Sequence, residues 1–319
     1  MLEGRDSNAD ALAITHWMAY LATVQGNTAS TVRGKVSALR WFHAMADDCI
    51  QLPQHPHITR TLAGIAKISA PPAPKSPLFL ADIIAGWSIA ATMGGRTLTV
   101  WRGVMLSFHL LLRGSEIWAY LSGLSDTDFC LLFNGVQFLR GGLQVTVHER
   151  HTADAATITL RGSKTDQTRV GSTLVLHRSS SAWHDPIAVL LSLFDSMPAE
   201  HLSNAMAPQS HVPLMTVPPA SRGMRGAVVT RDEAASFIKT LARMRGYDST
   251  CYSTHSMRVV GACTLAQAGL DPHHIKLAGR WRSDAYLTYI RPSMTQHGRI
   301  AAALTQTATT GVVPRPRRH

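Results

Sequence analysis

Cysteine is scarce in this chain, and its four copies form no recognisable pattern. Cys49, Cys130, Cys251 and Cys263 lie far apart, and no two of them have the CxxC spacing of a zinc knuckle or a redox pair. This spacing argues against a disulfide framework and against a structural zinc site. We therefore expect a protein that folds in a reducing compartment without covalent crosslinks.

Other signals are missing as well. The sequence has no run of about 18 apolar residues, and its first residues lack the charged-then-apolar layout of a signal peptide. It also has no Walker-type phosphate loop, no HExxH motif and no carboxylate cluster suited to two magnesium ions. His273 and His274 are adjacent and would point in different directions on a helix, so they do not form a metal site with His255. We expect a soluble, intracellular protein with no metal, no cofactor and no membrane partner.

Acidic residues are outnumbered by basic ones. The chain has 20 Asp and Glu against 31 Lys and Arg, which gives a formal net charge of +11. Such an excess is expected of a protein that binds a phosphate polymer, although a merely basic soluble protein can show it too. With 319 residues, 45% of them hydrophobic, the chain is long enough for two globular domains.

Three amphipathic segments open the sequence. We predict helices from Asn8 or Asp10 to Val24, from Thr28 or Ser30 to beyond Phe42, and from about His57 to Lys67. The predicted inward-facing residues are Leu12, Trp17 and Leu21, then Val32, Val36, Leu39 and Phe42, then Ile58, Leu62 and Ile65. The basic residues that fall outside these stripes are Arg33, Lys35, Arg40, Arg60 and Lys67. Taken alone, such charges most often form a solvated face.

A proline-rich stretch follows these helices. Residues 69–77 contain four prolines within seven positions, which cannot continue a helix and stiffen the chain. We predict a helical domain over residues 1–68, a linker over 69–77, a second domain over 78–300 and a basic tail over 301–319. The linker can serve as a tether between two basic domains or as an inert spacer.

The second domain begins with helical patterns. The segment from Val100 to Leu112 is apolar enough to run through a core, and it ends at Arg113, with Glu116 three residues later. Glu116 can orient the guanidinium of Arg113 for anion binding, although such pairs are also common surface salt bridges.

The period then changes to alternation between Gly142 and Arg178, which predicts short antiparallel strands. The turn 162–167 joins two of these strands and carries Lys164, which is either a ligand-reaching amine or an ordinary turn lysine. Further on we predict a helix from Pro186 to Phe194 after an Asp185 cap, a long loop over 197–226, and a helix from the Thr230–Glu233 capping box to about Arg245.

The last third holds the densest cluster of polar residues. If Thr254 opens a helix, His255 and Arg258 lie at positions i and i+3 and point from one face toward one small anion. Trp281 follows 23 positions after Arg258, and Tyr286 and Tyr289 follow it closely.

Five features therefore occur in order: Arg113 with Glu116, Lys164, His255-x-x-Arg258, Trp281 and Tyr289. This order resembles the catalytic domain of the tyrosine recombinases, the integrase family of site-specific DNA recombinases. The stretch HSMRVVGACTLAQAGLDPHHIKLAGRWRSDAYLTYIRP, residues 255–292, is most similar to recombinases of eukaryotic mobile elements of the DIRS and Crypton type. The resemblance covers nearly the whole chain, with residues 8–68 similar to a core-binding domain.

The resemblance implies a mainly α fold with a small antiparallel β-sheet: a helical N-terminal core-binding domain and a mixed α+β catalytic domain. It implies double-stranded DNA as partner, contacted by Arg33, Lys35, Arg40, Arg60 and Lys67. It further implies a homotetramer in the synaptic complex, working in the nucleus if the host is eukaryotic and in the cytoplasm or nucleoid if it is bacterial.

The resemblance also assigns roles in metal-independent strand transfer. Tyr289 would be the nucleophile and His255 its base, since a free phenol has a pKa of about 10. Arg113 and Arg258 would hold the phosphate by paired donors, Lys164 would protonate the leaving oxygen, and Trp281 would donate its indole N–H.

The sequence departs from the family at one place. Trp281 stands where many relatives have a second histidine, and its interval to Tyr289 is about one position shorter than is common, so Tyr286 is a rival nucleophile. Two other functions stay open: a catalytically inactive DNA-binding protein derived from a recombinase, and a type IB topoisomerase.

Overall fold

The computed structural model describes residues 7–45, 55–69, 76–120, 129–162, 166, 168–180, 184–218, 226–290, 298 and 302. The chain divides into two compact units, Met1–Pro74 and Lys75–His319. The division falls inside the proline-rich stretch, and the roles predicted for the two domains stay predictions. Among the described residues, no helix combines the length and the apolar character needed to cross a membrane.

The described part of the first unit contains three helices: α1 (Ser7–Thr23), α2 (Ala29–Met45) and α3 (Pro56–Ile68). Proline at the first position of α3 fits the fixed φ of a helix start, and the ring of the preceding His55 accepts a hydrogen bond from the backbone of His57. The core between these helices includes Met18, Val36 and Ile58. Burial of this small apolar centre stabilises the packing of the three helices.

Three of the residues predicted to face inward in this unit do not. Leu12 is 52% exposed, Trp17 36% and Phe42 64%. Helix α1 is apolar on several sides, so its pattern does not specify one face, and the buried stripe is the one that begins at the small residue Ala11. Phe42 lies in the last part of α2, where Trp41 and Met45 are exposed as well, so this end of the helix extends past the core.

The second unit is built around a buried helix, α5 (Gly95–His109), which follows α4 (Leu80–Met93). The other helices are α6 (Gly114–Ile117), α7 (Pro186–Ser196), α8 (Ala199–Met206), α9 (Arg231–Met244), α10 (Ser256–Gln267) and α11 (Pro272–Ala278). Helices α4, α7, α9 and α10 pack against α5. The predicted core helix therefore forms the centre of this unit.

A four-stranded antiparallel sheet lies beside these helices, with strand order β2-β1-β3-β4. Its strands are β1 (Val136–Arg140), β2 (Leu143–Val145), β3 (Ala155–Leu160) and β4 (Ser172–His177). In β3 and β4 the register pairs Leu160 with Ser172 and Ala155 with His177. The predicted hairpin is thus present, and its connecting segment leaves the sheet at the end of β3.

Two predictions for this unit are wrong. The predicted loop 197–226 contains α8 and the strand β5 (Thr216–Val217), which pairs with β6 (Ala227–Val228). Leu202 and Met215 are buried there, so tertiary packing orders a segment whose local pattern is weak. The alternation predicted between Gly142 and Arg178 is also interrupted: Val147 begins a 3-10 turn capped by Thr146, whose capping box with Glu149 competes with strand pairing.

Candidate functional site

Arg113 and Glu116 lie where the buried helix α5 gives way to the short helix α6. Glu116 accepts hydrogen bonds from the backbone N–H of Arg113 at 2.8 Å and from its Nη1 at 2.7 Å. The carboxylate of Glu116 is completely buried, whereas the guanidinium of Arg113 is partly exposed. Glu116 therefore orients Arg113 so that its remaining N–H groups can meet an anion.

A third residue of this cluster, Arg280, is absent from the sequence-based site. Its Nη2 donates to the second carboxylate oxygen of Glu116 at 2.7 Å, and its Nη1 donates to the carbonyl of Leu110 at 3.0 Å. The backbone of Arg280 has a φ of 56°, a left-handed conformation that costs a non-glycine residue of the order of 1–3 kcal/mol. Its place beside Trp281 is the only sequence signal for it, because the contact with Glu116 spans 164 positions.

The start of α10 differs from the prediction. The helix begins at Ser256 with His255 as its N-cap, and no side chain caps it. Thr254, the predicted start of this helix, lies before it, and its Oγ1 accepts a hydrogen bond from Nε of Arg231 at 3.4 Å. His255 and Arg258 nevertheless lie one helical turn apart, as their spacing predicts.

Arg258 is 2% exposed and is engaged on several sides. Its Nη1 donates to the carbonyl of Leu111 at 2.7 Å, its Nη2 donates to the carbonyl of Gly279, and its guanidinium carbon lies 4.3 Å from the ring of Trp281. Burial and then the charge of Arg113 lower the pKa of Arg258 to about 9, so the group stays charged at neutral pH. Arg258 thus lies beneath Trp281 and joins the end of α5 to the segment after α11.

The two candidate tyrosines occupy different surroundings. The ring of Tyr289 meets the ring of His255 edge-on at a centroid distance of 5.1 Å, and it lies 5.7 Å from Trp281. Tyr286 is only 6% exposed and packs in an apolar cluster with Leu111 and Ile275. Of the two phenols, Tyr289 is the one that lies beside the histidine.

His255 has a titration suited to a base. Burial lowers its pKa below the ordinary value of 6.5, and the charges of Arg258, Arg231 and Arg113 lower it further. A histidine with a depressed pKa is neutral at pH 7 and can accept a proton from a neighbouring hydroxyl.

A cleft of about 220 Å³ opens beside the arginines. Arg113, Arg280 and Arg282 line one part of it, and residues of the β3–β4 connection, including Gly162 and Asp166, line another. Asp166 accepts hydrogen bonds from the backbone N–H groups of Val170 and Gly171, the latter being the main cause of its lowered pKa. Lys164 itself lies outside the described residues, so its role stays a prediction.

The predicted DNA-contacting residues belong to the first unit. Arg33, Arg60 and Lys67 are exposed, whereas Lys35 and Arg40 are half-buried. Among the residues that the structure describes, no three histidine, cysteine or acidic side chains are grouped so as to hold a metal ion.

Comparison with solved structures identifies the fold. The XerH site-specific recombinase bound to palindromic difH substrate in a post-cleavage complex is 13% identical, with a TM-score of 0.51, 96% of this chain covered and 74% of that one. The XerH pre-cleavage complex with difH is 12% identical, with a TM-score of 0.50 and coverages of 95% and 72%. A Tn1549 transposon integrase with a Y379F substitution, in complex with transposon right end DNA, is 14% identical at a TM-score of 0.48, with 93% and 85% covered.

No protein-family model and no curated protein matches the sequence. The fold is nevertheless that of the tyrosine recombinases, mainly α-helical with a small antiparallel sheet, as the sequence predicts.

Proposed function

We propose that this protein is a site-specific DNA recombinase or integrase that cleaves and rejoins strands through a 3′-phosphotyrosyl intermediate on Tyr289. The observation that carries this proposal is the contact between Tyr289 and His255 beside a cluster of arginines. A phenol next to a histidine of depressed pKa, within a positive field, has the components needed to attack a phosphodiester. The recombinase fold and the net charge of +11 support DNA as the substrate.

In the proposed reaction the Oη of Tyr289 attacks the phosphorus, and the bond from phosphorus to the 5′-oxygen breaks. The proton of the phenol passes to His255, and Lys164 supplies a proton to the leaving 5′-oxygen. Arg113 stabilises the charge that develops on the nonbridging oxygens. A 5′-hydroxyl from a second strand then reverses these steps and joins the DNA, without an external energy source.

The roles proposed for Arg258 and Trp281 require their contact to change when DNA binds. Arg258 has a role in phosphate binding only if its guanidinium becomes more accessible on DNA, because it is 2% exposed and the ring of Trp281 lies 4.3 Å over it. When DNA is bound, Trp281 would donate its indole N–H to the same phosphate.

We also propose that the active complex is a homotetramer on double-stranded DNA and that the chain comes from a mobile element of the DIRS or Crypton type.

One observation favours a second candidate, a DNA-binding protein without catalysis. Arg258 is buried and both of its terminal nitrogens bind carbonyl oxygens. If that arrangement persisted on DNA, Arg258 would not contact the phosphate, and strand cleavage would be severely weakened.

The test is adduct formation on a pool of nicked duplexes with randomised sequence. We expect the wild-type protein to form an SDS-resistant protein–DNA adduct, because the nick lets the cleaved fragment diffuse away. Tyr289→Phe should abolish the adduct while duplex binding survives, since one hydroxyl is lost. Tyr286→Phe is the matched control and should retain the adduct.

Loss of the adduct in Tyr286→Phe but not in Tyr289→Phe would reassign the nucleophile. A wild-type protein that binds DNA and never forms an adduct would support the inactive alternative. Relaxation of supercoiled DNA without sequence preference would instead indicate a type IB topoisomerase.

A further inference from the structure

Arg231 lies beside the arginine cluster and has no part in the chemistry above. It is the first residue of α9, and its Nε and Nη1 donate to the hydroxyls of Thr254 at 3.4 Å and Tyr120 at 3.2 Å. Its guanidinium carbon is 5.3 Å from the centroid of the Tyr120 ring. Within the described part of the chain, no carboxylate lies at salt-bridge distance from Arg231.

Two other arginines near α9 are paired with carboxylates. Arg96 pairs with Glu233 in the first turn of the helix, and Arg245, just after its end, pairs with Asp82. Within the described residues, the side-chain hydrogen-bond partners of Arg231 are neutral hydroxyls. A guanidinium held in this way keeps its full charge for an external anion, and hydroxyl partners fix its orientation without satisfying that charge.

Arg231 is placed between the two segments that carry the reactive cluster. A Cβ atom on Gly114 would lie 2.9 Å from Oγ1 of Thr254 and 3.4 Å from Nε of Arg231, so only glycine leaves room for this contact. Gly114 follows Arg113, and Thr254 precedes His255. The charge of Arg231 is one of those that lower the pKa of His255, which places it within electrostatic reach of the site.

Tyr120 is the more solvent-accessible candidate ligand contact beside Arg231. It is 49% exposed, and its Oη accepts a hydrogen bond from Arg231, which leaves its own O–H able to donate to a ligand. Arginine and tyrosine are both common donors to DNA phosphates, where they fix the register of a protein on the duplex.

We propose that Arg231 and Tyr120 form a second phosphate-binding site, which takes a DNA backbone phosphate next to the one held by Arg113. The site rests on the proposed function, because it assumes that the DNA backbone passes through the cluster. Its effect would be to position the strand rather than to react with it.

The test is the salt dependence of duplex binding by the full-length protein. Loss of one phosphate contact should lower the slope of log K against log salt by about one, so we expect this change for Arg231→Ala. Arg231→Lys keeps the charge and should keep the wild-type slope. Arg243→Ala is the matched control, since Arg243 is exposed at the other end of the same helix, about 18 Å away at 1.5 Å per residue. It should leave the slope unchanged.

Tyr120→Phe tests the same site with little risk to the fold, because it removes one exposed hydroxyl and no charge. It should weaken binding at every salt concentration without changing the slope. Equal slopes for Arg231→Ala and Arg243→Ala would overturn the proposal, as would a loss that depends on base sequence instead of salt. If the wild-type protein forms no adduct but Arg231→Ala still lowers the slope by about one, the proposed strand transfer is wrong and the phosphate-binding site is supported.

Discussion

Glu116 is the residue on which the geometry of the candidate site depends most. Its carboxylate is fully buried, yet it lies between the guanidinium groups of Arg113 and Arg280 and also accepts the backbone N–H of Arg113. The two guanidinium groups repel each other, and the carboxylate between them offsets this repulsion by attracting both. Removing one member of a buried charged group is strongly destabilising, because the remaining charges lose their compensation.

We therefore expect Glu116→Gln to lower the free energy of unfolding by about 3 kcal/mol. The amide keeps the shape of the carboxylate but offers no negative charge to either arginine, so adduct formation should fall as well. Urea denaturation measures the first effect. The matched control is Glu149→Gln: Glu149 holds the same third position of a capping box, with Thr146, but it is exposed. Similar losses in the two variants would mean that Glu116 acts only as a cap.

At the scale of elements, sequence predicts what is decided locally. The capping box of Thr230 and Glu233 and the Asp185-Pro186 start of α7 appear as expected, because their hydrogen bonds lie within a few residues. Strand β1 and helix α8 are not predicted from the sequence, because both are stabilised by burying apolar residues against segments that are distant along the chain. The same reason explains why Arg280 escaped the sequence-based site although its neighbour Trp281 did not.

The last residue of α5, His109, is a titratable group that makes the stability of the fold depend on pH. His109 is half-buried with its ring stacked on that of His184 at 6.4 Å. Burial lowers the pKa of His109 to about 4; a hydrogen bond to the backbone of His184 and the charge of Asp185 oppose this shift, whereas the charge of His184 adds to it. The folded protein therefore resists protonation at this position.

The sign of the pH effect follows from the two pKa values. Between pH 6.5 and about 4 the unfolded chain binds a proton at His109 and the folded protein does not, so stability falls as pH falls. The loss should reach about 3 kcal/mol at pH 4, at 1.36 kcal/mol per pKa unit. His109→Asn removes the titration and keeps a donor for the backbone of His184. In urea titrations, the wild-type protein should lose stability relative to this variant on acidification, and a constant difference from pH 7 to 4 would contradict the assignment.

At the scale of the whole molecule, the net positive charge belongs mainly to the second unit. The first unit, Met1–Pro74, has six basic residues against five acidic ones, which is a net charge of +1 out of +11 for the chain. Attraction of a polyanion to the first unit therefore depends on where Arg33, Lys35, Arg40, Arg60 and Lys67 lie on its helices, not on its net charge. Solvated charges would produce the same composition, so only binding data separate a DNA-contacting face from an inert one.

The double variant Arg33→Gln, Arg60→Gln separates these two cases, because the two arginines are exposed on different helices of the unit. If both contact phosphates, the slope of log K against log salt should fall by about two, and affinity at 50 mM salt should fall with it. The chemistry of the second unit should be untouched, so the amount of adduct at saturating DNA should equal that of the wild type. Arg243→Gln measures the effect of removing one exposed charge from the second unit. An unchanged slope in the double variant would mean that the first unit's basic faces are solvated, and DNA binding would then fall to the second unit alone.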